Sequence, residues 1–575
     1  MAFIPALRHD LSSQLKSFQP KATISPVNPP SQANPTADNA RNTEHSQEQE
    51  DSNHPTETPE PEPEPAQQVF ERAPLPVSSP SRQLTVTILI VFANLVQMIV
   101  NFAGVAGGRT FSQSMHVKES YATWIAASYG LTQGTFVLTS GRLGDVHGHR
   151  KLLLGGGAWL ILCTFLGTFV YDNFFAFVTM RVLAGIGGAC IMPNAVAMIA
   201  ITNPPGRVRN LSLGFFAASA PVGGWVSAVL LGGLMEGVHW RWFFVVAAGL
   251  GAATFLPLWL LSRDEATSAR NGKIDWIGAF LGTSSLVIFN FVWNQAPSVG
   301  WSTPYEIALL LTSILLFTLF IIWEHKTPHP ITPPSIFRAP SFAILILVIL
   351  LDYMAVGTVL WYQILWLQEV WQWSTLQFAI AWIPFLICGT IAACLAAWLI
   401  PRLAAQYILA LGTGTVLIST VLMATLPEEQ SYWAQVFPSV VLFAFCPDLV
   451  YTAGQIIASN SVSRRQQGVA GSIVGTLNLY GNSLGLGFAS TVEVEVRERY
   501  GGDRIRGYRA ALWFGVAICV VALVLDLAFV RRVKDEREGW EGEDVAEEIE
   551  LAATTGARVS RLEMGQGQVV QRVEG

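Results

Sequence analysis

Charge is scarce in this chain. Lys, Arg, Asp and Glu together make up 13% of its 575 residues, against about a quarter in an ordinary soluble domain. So small a polar inventory cannot coat a water-soluble fold in which 51% of residues are apolar. The net charge of −6 is weighted by polar ends, and nothing basic enough to bind nucleic acid stands out. Cysteines are few: Cys163, Cys190, Cys388, Cys394, Cys446 and Cys519, each inside an apolar stretch. Without a CxxC pair or histidines at metal spacing they read as buried structural thiols, and no metal is expected. A phosphate-binding GxxxxGK[ST] loop is missing, because Gly272-Lys273 runs into Ile274; that argues against ATP-driven chemistry. No nucleophile–base constellation is apparent either, so neither an enzyme nor a cofactor is expected. Residues 1–23 lack the apolar core of a signal peptide.

Long apolar runs are abundant. About fourteen of them, each of roughly twenty residues, fill the chain from Leu84 to Arg532, and a helix of that length crosses about 30 Å of hydrocarbon with its backbone hydrogen bonds satisfied internally. Spans are expected at 84–106, 121–141, 152–170, 174–201, 211–234, 240–261, 274–295, 305–324, 341–363, 376–399, 403–425, 432–455, 468–490 and 510–532. The fold class is therefore an all-α polytopic membrane protein. Residues 1–83, with the run Pro59-Glu60-Pro61-Glu62-Pro63-Glu64-Pro65, read as a disordered tail, and 533–575 as a second, acidic one. With both termini cytosolic, the inner loops hold most of the Arg and Lys, from Arg142, Arg150 and Lys151 to Arg464 and Arg465, as the positive-inside rule requires. The outer loops hold Arg109, Lys118, Arg241 and a mixed-sign stretch at 493–509, expected to form a short amphipathic helix on the outer surface.

Between the second and third spans lies Gly141-Arg-Leu143-Gly144-Asp145-Val-His147-Gly148-His149-Arg150-Lys151. Its order resembles the signature loop of the major facilitator superfamily, although Val146 replaces a common basic residue and His149 stands where Arg is usual. For Gly141, Asp145, Gly148, Arg150 and Lys151 the resemblance implies a gating latch that stabilises the outward-open state. In the fourth span, Arg181-Val-Leu-Ala-Gly185-Ile-Gly187-Gly188-Ala189 resembles the superfamily's arginine-containing motif. An intramembrane arginine either faces protein or water or snorkels to an interface. The fifth span carries Gly214, Pro221, Gly223 and Gly224 in a stretch similar to the antiporter motif of exporters, with one residue fewer between Pro221 and the glycine pair. Close helix packing by small residues is the plainer account of the same stretch.

Fourteen spans resemble the drug:proton antiporter branch, and so imply two six-helix bundles, about 84–261 and 341–532, with two extra helices at about 274–324. Segments including Asp275-Trp276-Ile-Gly278-Ala and Cys446-Pro447-Asp448-Leu449 are closer still to fungal aminotriazole-resistance-like transporters. The resemblance implies a small-molecule substrate, protons and the bilayer as partners, and a monomer in the plasma membrane, or alternatively the vacuolar one. It implies export of drugs, toxicants or secondary metabolites. Export of a small inorganic acid such as borate, uptake of a nutrient or chelate, and a transporter-like sensor are the alternatives.

Polar residues in the expected hydrocarbon zone mark a possible pathway. Asn94, Gln97 and Asn101 share one helix face, as do Asn478 and Asn482; each could equally glue helices together. Asn290 and Asn294, on an extra helix, read as glue. Two membrane acids are candidates for proton coupling, Asp352 first and Asp448 second, since burial disfavours an ionised carboxylate and suits a group that loads and unloads a proton. The first span offers no acid, so coupling through that helix is unavailable. Trp361 and Tyr362 are candidates to line a cavity for flat apolar compounds.

Overall fold

The computed structural model describes residues 80–530, apart from 119–120, 204–206, 263–273, 329, 339–340, 400–401 and 462–466. The expected tails lie outside the described residues, except that the first helix begins at Pro80. No strand occurs among the described residues. The helices are α1 (Pro80–Ser114), α2 (Ala122–His147), α3 (His149–Gly167), α4 (Phe174–Thr202), α5 (Arg207–Gly237), α6 (Trp242–Leu261), α7 (Trp276–Val299), α8 (Pro304–Lys326), α9 (Phe342–Leu365), α10 (Thr375–Ala381), α11 (Ile383–Leu399), α12 (Ala405–Ala424), α13 (Val436–Ser461), α14 (Gln467–Arg499) and α15 (Arg504–Phe529). The short α10 and α11 meet at a bend of 40° and together occupy one expected span, which leaves fourteen.

Eleven of these helices are long and apolar enough to cross a bilayer, or twelve with the bent pair. The two that fall short are α2 and α14, whose apolar runs are broken by Gly, Ser, Thr and Asn. Both are largely enclosed by other helices, where side chains face protein rather than lipid. At the opposite extreme α8 is Leu- and Ile-rich and mostly exposed.

Local signals set the helix ends. The side chains of Asn173, Asp275 and Asp503 cap α4, α7 and α15 by accepting backbone N–H groups, and Ser374 and Gln377 form a reciprocal capping box on α10. Gly148, at φ +102°, turns the chain between α2 and α3 through a conformation that a side chain would resist. The stretch 493–509 is not a separate surface helix: α14 continues to Arg499, glycines at 501 and 502 turn the chain, and α15 starts at Arg504. The expected outer loop is thus four residues long, because nothing before Tyr500 breaks the helix.

Packing repeats between the two ends of the chain. Helix α1 packs on α4, α5 and α6, and α3 on α4 and α6; likewise α9 packs on α13, α14 and α15, and α12 on α13 and α15. Two six-helix halves, α1–α6 and α9–α15, share one pattern. They meet along two seams related by the same repeat, α2 on α14 and α5 on α10–α11. Backbone contact is close at both: a Cβ at Gly134 would lie 2.6 Å from the Tyr480 nitrogen, and one at Gly232 2.7 Å from the Leu376 backbone. Helix α7 lies across the first seam and touches both α2 and α14, while α8 packs on α7. Below, the face carrying the α2–α3 turn is called inner and the opposite face outer, after the expected orientation.

Candidate substrate pathway

The outer end of the molecule is closed by polar contacts between the halves. Past Leu365 helix α9 widens into a π turn, Trp366–Val370, a distortion often found at functional positions. It brings Gln368 and Glu369 against α1. Arg109 of α1 donates to the Gln368 carbonyl and its Nε lies 3.5 Å from Glu369, while Gln368 Nε2 returns a bond to the Ala106 carbonyl at 3.2 Å. On the other side of Glu369 stand Tyr508, whose hydroxyl donates to it at 2.5 Å, and Arg504 at 3.7 Å. Next to this group Tyr362 donates to Glu493 at 2.8 Å, and Arg497 pairs with the same carboxylate at 3.3 Å.

Arg109, Glu369, Tyr508, Glu493 and Arg497 line a cavity of about 30 Å³ with Trp361 as one wall. That is room for a water or two and not for an organic molecule. Trp361 also covers α1 at Gly108, where a Cβ would lie 3.1 Å from its ring. Trp361 and Tyr362 therefore sit in a charged outer plug, with an ion pair and a carboxylate around them.

Deeper in, the polar candidates divide between helix-to-helix bonding and open positions. Asn94 is buried and donates to the Phe216 carbonyl at 3.2 Å and to Ser219 at 2.7 Å, so it ties α1 to α5 just before Pro221. Gln97 is fully buried and has no partner on either amide atom. Asn101 is half-buried. On α14, Asn482 donates to the Asn478 carbonyl at 2.7 Å, and both residues keep part of their surface open. Asn290 and Asn294 of α7 bind Ser483 of α14, through its hydroxyl at 2.9 Å and its carbonyl at 3.2 Å.

Arg181 does not snorkel. Its guanidinium is buried and donates to the carbonyls of Ile125, Val100 and Asn101 at 2.9, 3.2 and 3.1 Å, with the Tyr129 ring 5.8 Å away. Gly104 leaves the space it needs, since a Cβ there would fall 2.3 Å from Nη2. The arginine thus fastens α4 to α1 and α2.

The two acids have different surroundings. Asp352 is fully buried in the second half, where Thr413 of α12 donates to Oδ2 at 2.9 Å and Oδ1 has no partner. That bond sets it in the packing of α9 against α12. Asp448 is ringed by protein yet partly open, beside Pro447, whose carbonyl accepts from Tyr353 at 3.0 Å.

A sequence profile of the Major Facilitator Superfamily matches residues 86–486. The chain belongs to this superfamily. Among similar proteins are a low affinity ammonium transporter of Saccharomyces cerevisiae (32% identical, over 69% of this chain and 78% of that protein) and the efflux pump terJ of Aspergillus terreus (32%, over 71% and 80%). The aminotriazole resistance protein of Saccharomyces cerevisiae is 28% identical over 76% of this chain and 82% of its own length. A POT family transporter crystallised with a thioalcohol-conjugated peptide superposes with a TM-score of 0.59, at 14% identity, over 77% of this chain and 96% of that one; this likeness concerns the fold. A major facilitator chain with drug-efflux-like relatives is what the sequence motifs implied.

The superfamily's signature turn lies at the inner face. Asp145 is 3.5 Å from His149 and 3.8 Å from Arg142, so the histidine that replaces the usual arginine takes the acid. His149 Nδ1 also contacts Asn194 at 2.9 Å, in space left by Gly144. Arg150 bonds Ser262 at 2.8 Å and the Trp259 carbonyl at 3.0 Å, both next to the end of α6, and Lys151 is exposed. Gly141 makes ordinary contacts with Pro193 and Ser472. In α5, Gly223 and Gly224 admit Met98 and Phe102 of α1, and Pro221 rests on Gly389 of α11 across the second seam, whereas nothing lies within 4 Å of a Cβ at Gly214.

Sequence reasoning passed over Glu369 and Glu493, which fell in expected loops. It also passed over Asp526 of α15, a buried carboxylate with neither oxygen bonded, because an acid near the inner end of its span reads as interfacial. Their signal was present in part: Asp526 continues the helical stripe Tyr508, Leu512, Gly515, Cys519 and Ala522, the face that packs.

Proposed function

We propose that this chain exports small organic compounds, such as toxicants or secondary metabolites, in exchange for protons, by rocking one half against the other. The observation that carries the proton half of this reading is Asp352: a fully buried carboxylate with one oxygen unpartnered and a threonine as its bonded neighbour. Such a group is costly to keep charged and is a natural place for a proton. Export is supported by relatives named as efflux pump and aminotriazole resistance protein and by α5, which is glycine-rich and carries Pro221 inside the helix. Arg109, Glu369, Tyr508 and Glu493 form the outer gate of this cycle, and the α2–α3 turn its inner latch. The substrate is seated near Asn101, Asp448, Asn478 and Asn482, and the working unit is a monomer in the plasma membrane with both termini cytosolic.

Uptake of a small nutrient is a second reading, favoured by the relative named as a low affinity ammonium transporter. Expression in a pump-depleted host decides between them. Wild type is expected to raise resistance and lower retained compound for part of a toxicant panel, and Asp352→Asn to abolish that gain. Efflux unchanged in Asp352→Asn removes this residue from coupling, and accumulation by wild type reverses the direction.

A further inference from the structure

We propose that Asp526 of α15 is a second proton-binding carboxylate that works with Asp352 and forms the inner station of the proton path, an inference that rests on the proton-coupled reading above. The buried stripe of α15 runs Tyr508, Leu512, Gly515, Cys519, Ala522 and Asp526. It faces α9 and α12, the helices that hold Asp352 and Thr413. Asp526 is 1% exposed, and neither of its carboxylate oxygens has a hydrogen-bond partner. Asp352 is fully buried with Oδ1 likewise alone, and the two acids stand on helices that pack against each other.

Their depths differ in a useful way. Ser341 donates to the Phe529 carbonyl at 3.2 Å, which fixes the start of α9 beside the end of α15 at the inner face. Asp526 is about one turn in from that bond and Asp352 about three, so they differ in depth by about 12 Å at 1.5 Å per residue. The titratable groups on the surrounding elements are Tyr353 of α9, Cys446, Asp448 and Tyr451 of α13, Tyr480 of α14 and Cys519 of α15 itself, with Tyr407 at the inner start of α12. No Lys, Arg or His occurs in α9, α12, α13, the first twenty residues of α14, or α15 beyond Arg509.

A carboxylate buried among apolar helices with an oxygen left unbonded is costly to keep ionised. Each of the two acids is therefore a place where a proton can be held. When it leaves Asp352, that carboxylate becomes an anion; water carries the proton inward to Asp526, whose carboxylate is neutralised, and release to the inner solution restores its charge. Neither bonds nor electrons change apart from the O–H bonds broken and remade.

The test is an infrared titration of the purified full-length protein from about pH 5 to about pH 9, following the protonated-carboxyl stretching band. Wild type, Asp352→Asn, Asp526→Asn and Asp526→Glu are compared at equal, monodisperse concentration. The expected result is that Asp526→Asn removes one carboxyl's share of the band lost on alkalinisation, and that Asp526→Glu restores it. Asp352→Asn should also move the midpoint of the remaining band, as coupled sites require. A band and midpoint untouched by Asp526→Asn overturn the proposal while leaving proton-coupled export standing. Wild-type efflux indifferent to a collapsed pH gradient overturns that reading, and the proposal with it.

Discussion

At the scale of single residues, the strongest commitments are buried polar groups that bond to backbone rather than to one another. Arg181 illustrates the point: three carbonyls from two helices take its guanidinium, and a hydrogen bond to a charged group is worth roughly 1.5–3 kcal/mol. Lysine keeps the charge but cannot fan out to three acceptors. Arg181→Lys should cost about 3 kcal/mol of stability, read as a lower thermal midpoint of the detergent-solubilised protein. Gly104→Ala should lower it too, since the new Cβ would collide with Nη2. Unchanged midpoints in both variants would show that the arginine is not a fastener. The chemistry of this residue was legible in the sequence, as a charge too costly to leave in lipid. Its partners were not, because Ile125 lies 56 residues away and the approach of α2 to α4 decides the bond. The same holds for Glu369, which acquires a role only when a π turn carries it against α1.

Among elements, the long apolar runs located the spans, and the errors were physical in origin. Helix α14 overran its expected end by nine residues because a charged stretch with no breaker continues a helix into the outer face. The broken span was missed because α10 and α11 are together as apolar as a straight helix. Contacts across helices were the least legible. Asn290 and Asn294 read as helix glue on the added helix α7, but their sequence did not tell that the partner would be α14, through the Asn290–Ser483–Asn294 group and a stack of Trp293 on Phe488 at 3.6 Å. The bonds of α7 to α2 are sparser, Trp124 to Gln295 at 2.7 Å and Thr139 to Thr283 at 3.5 Å. Helix α7 should therefore travel with the second half when α2 and α14 slide. A crosslink between Asn290→Cys and Ser483→Cys is expected to leave transport largely intact. One between Trp124→Cys and Gln295→Cys should arrest it until reduced. Arrest by the first pair and not the second would assign α7 to the other half.

For the whole molecule, the question is what holds the outer end shut. Among the described residues Arg109 with Glu369 is an ion pair that spans the two halves there, with 20% and 7% of the side chains exposed. A pair so shielded is screened by salt much less than a surface pair, and removing one member strands the other, at a cost of up to several kcal/mol. Glu369→Gln should thus shift the balance of states towards an open outer end by about tenfold, the equivalent of about 1.4 kcal/mol. Ser490, whose hydroxyl is 3.4 Å from Thr123 across the α2–α14 seam, is a suitable reporter. In a background without reactive thiols, Ser490→Cys should react about ten times faster with a membrane-impermeant reagent once Glu369→Gln is added. The exchanged pair, Arg109→Glu with Glu369→Arg, tests whether charge complementarity is the cause. It should bring the rate part of the way back, since Tyr508 and Arg504 would then face a cation instead of an acid. If the single variant leaves the labelling rate at the wild-type value, the outer end is held by apolar packing of Trp361 on α1, and Gly108→Ala is the substitution that should open it.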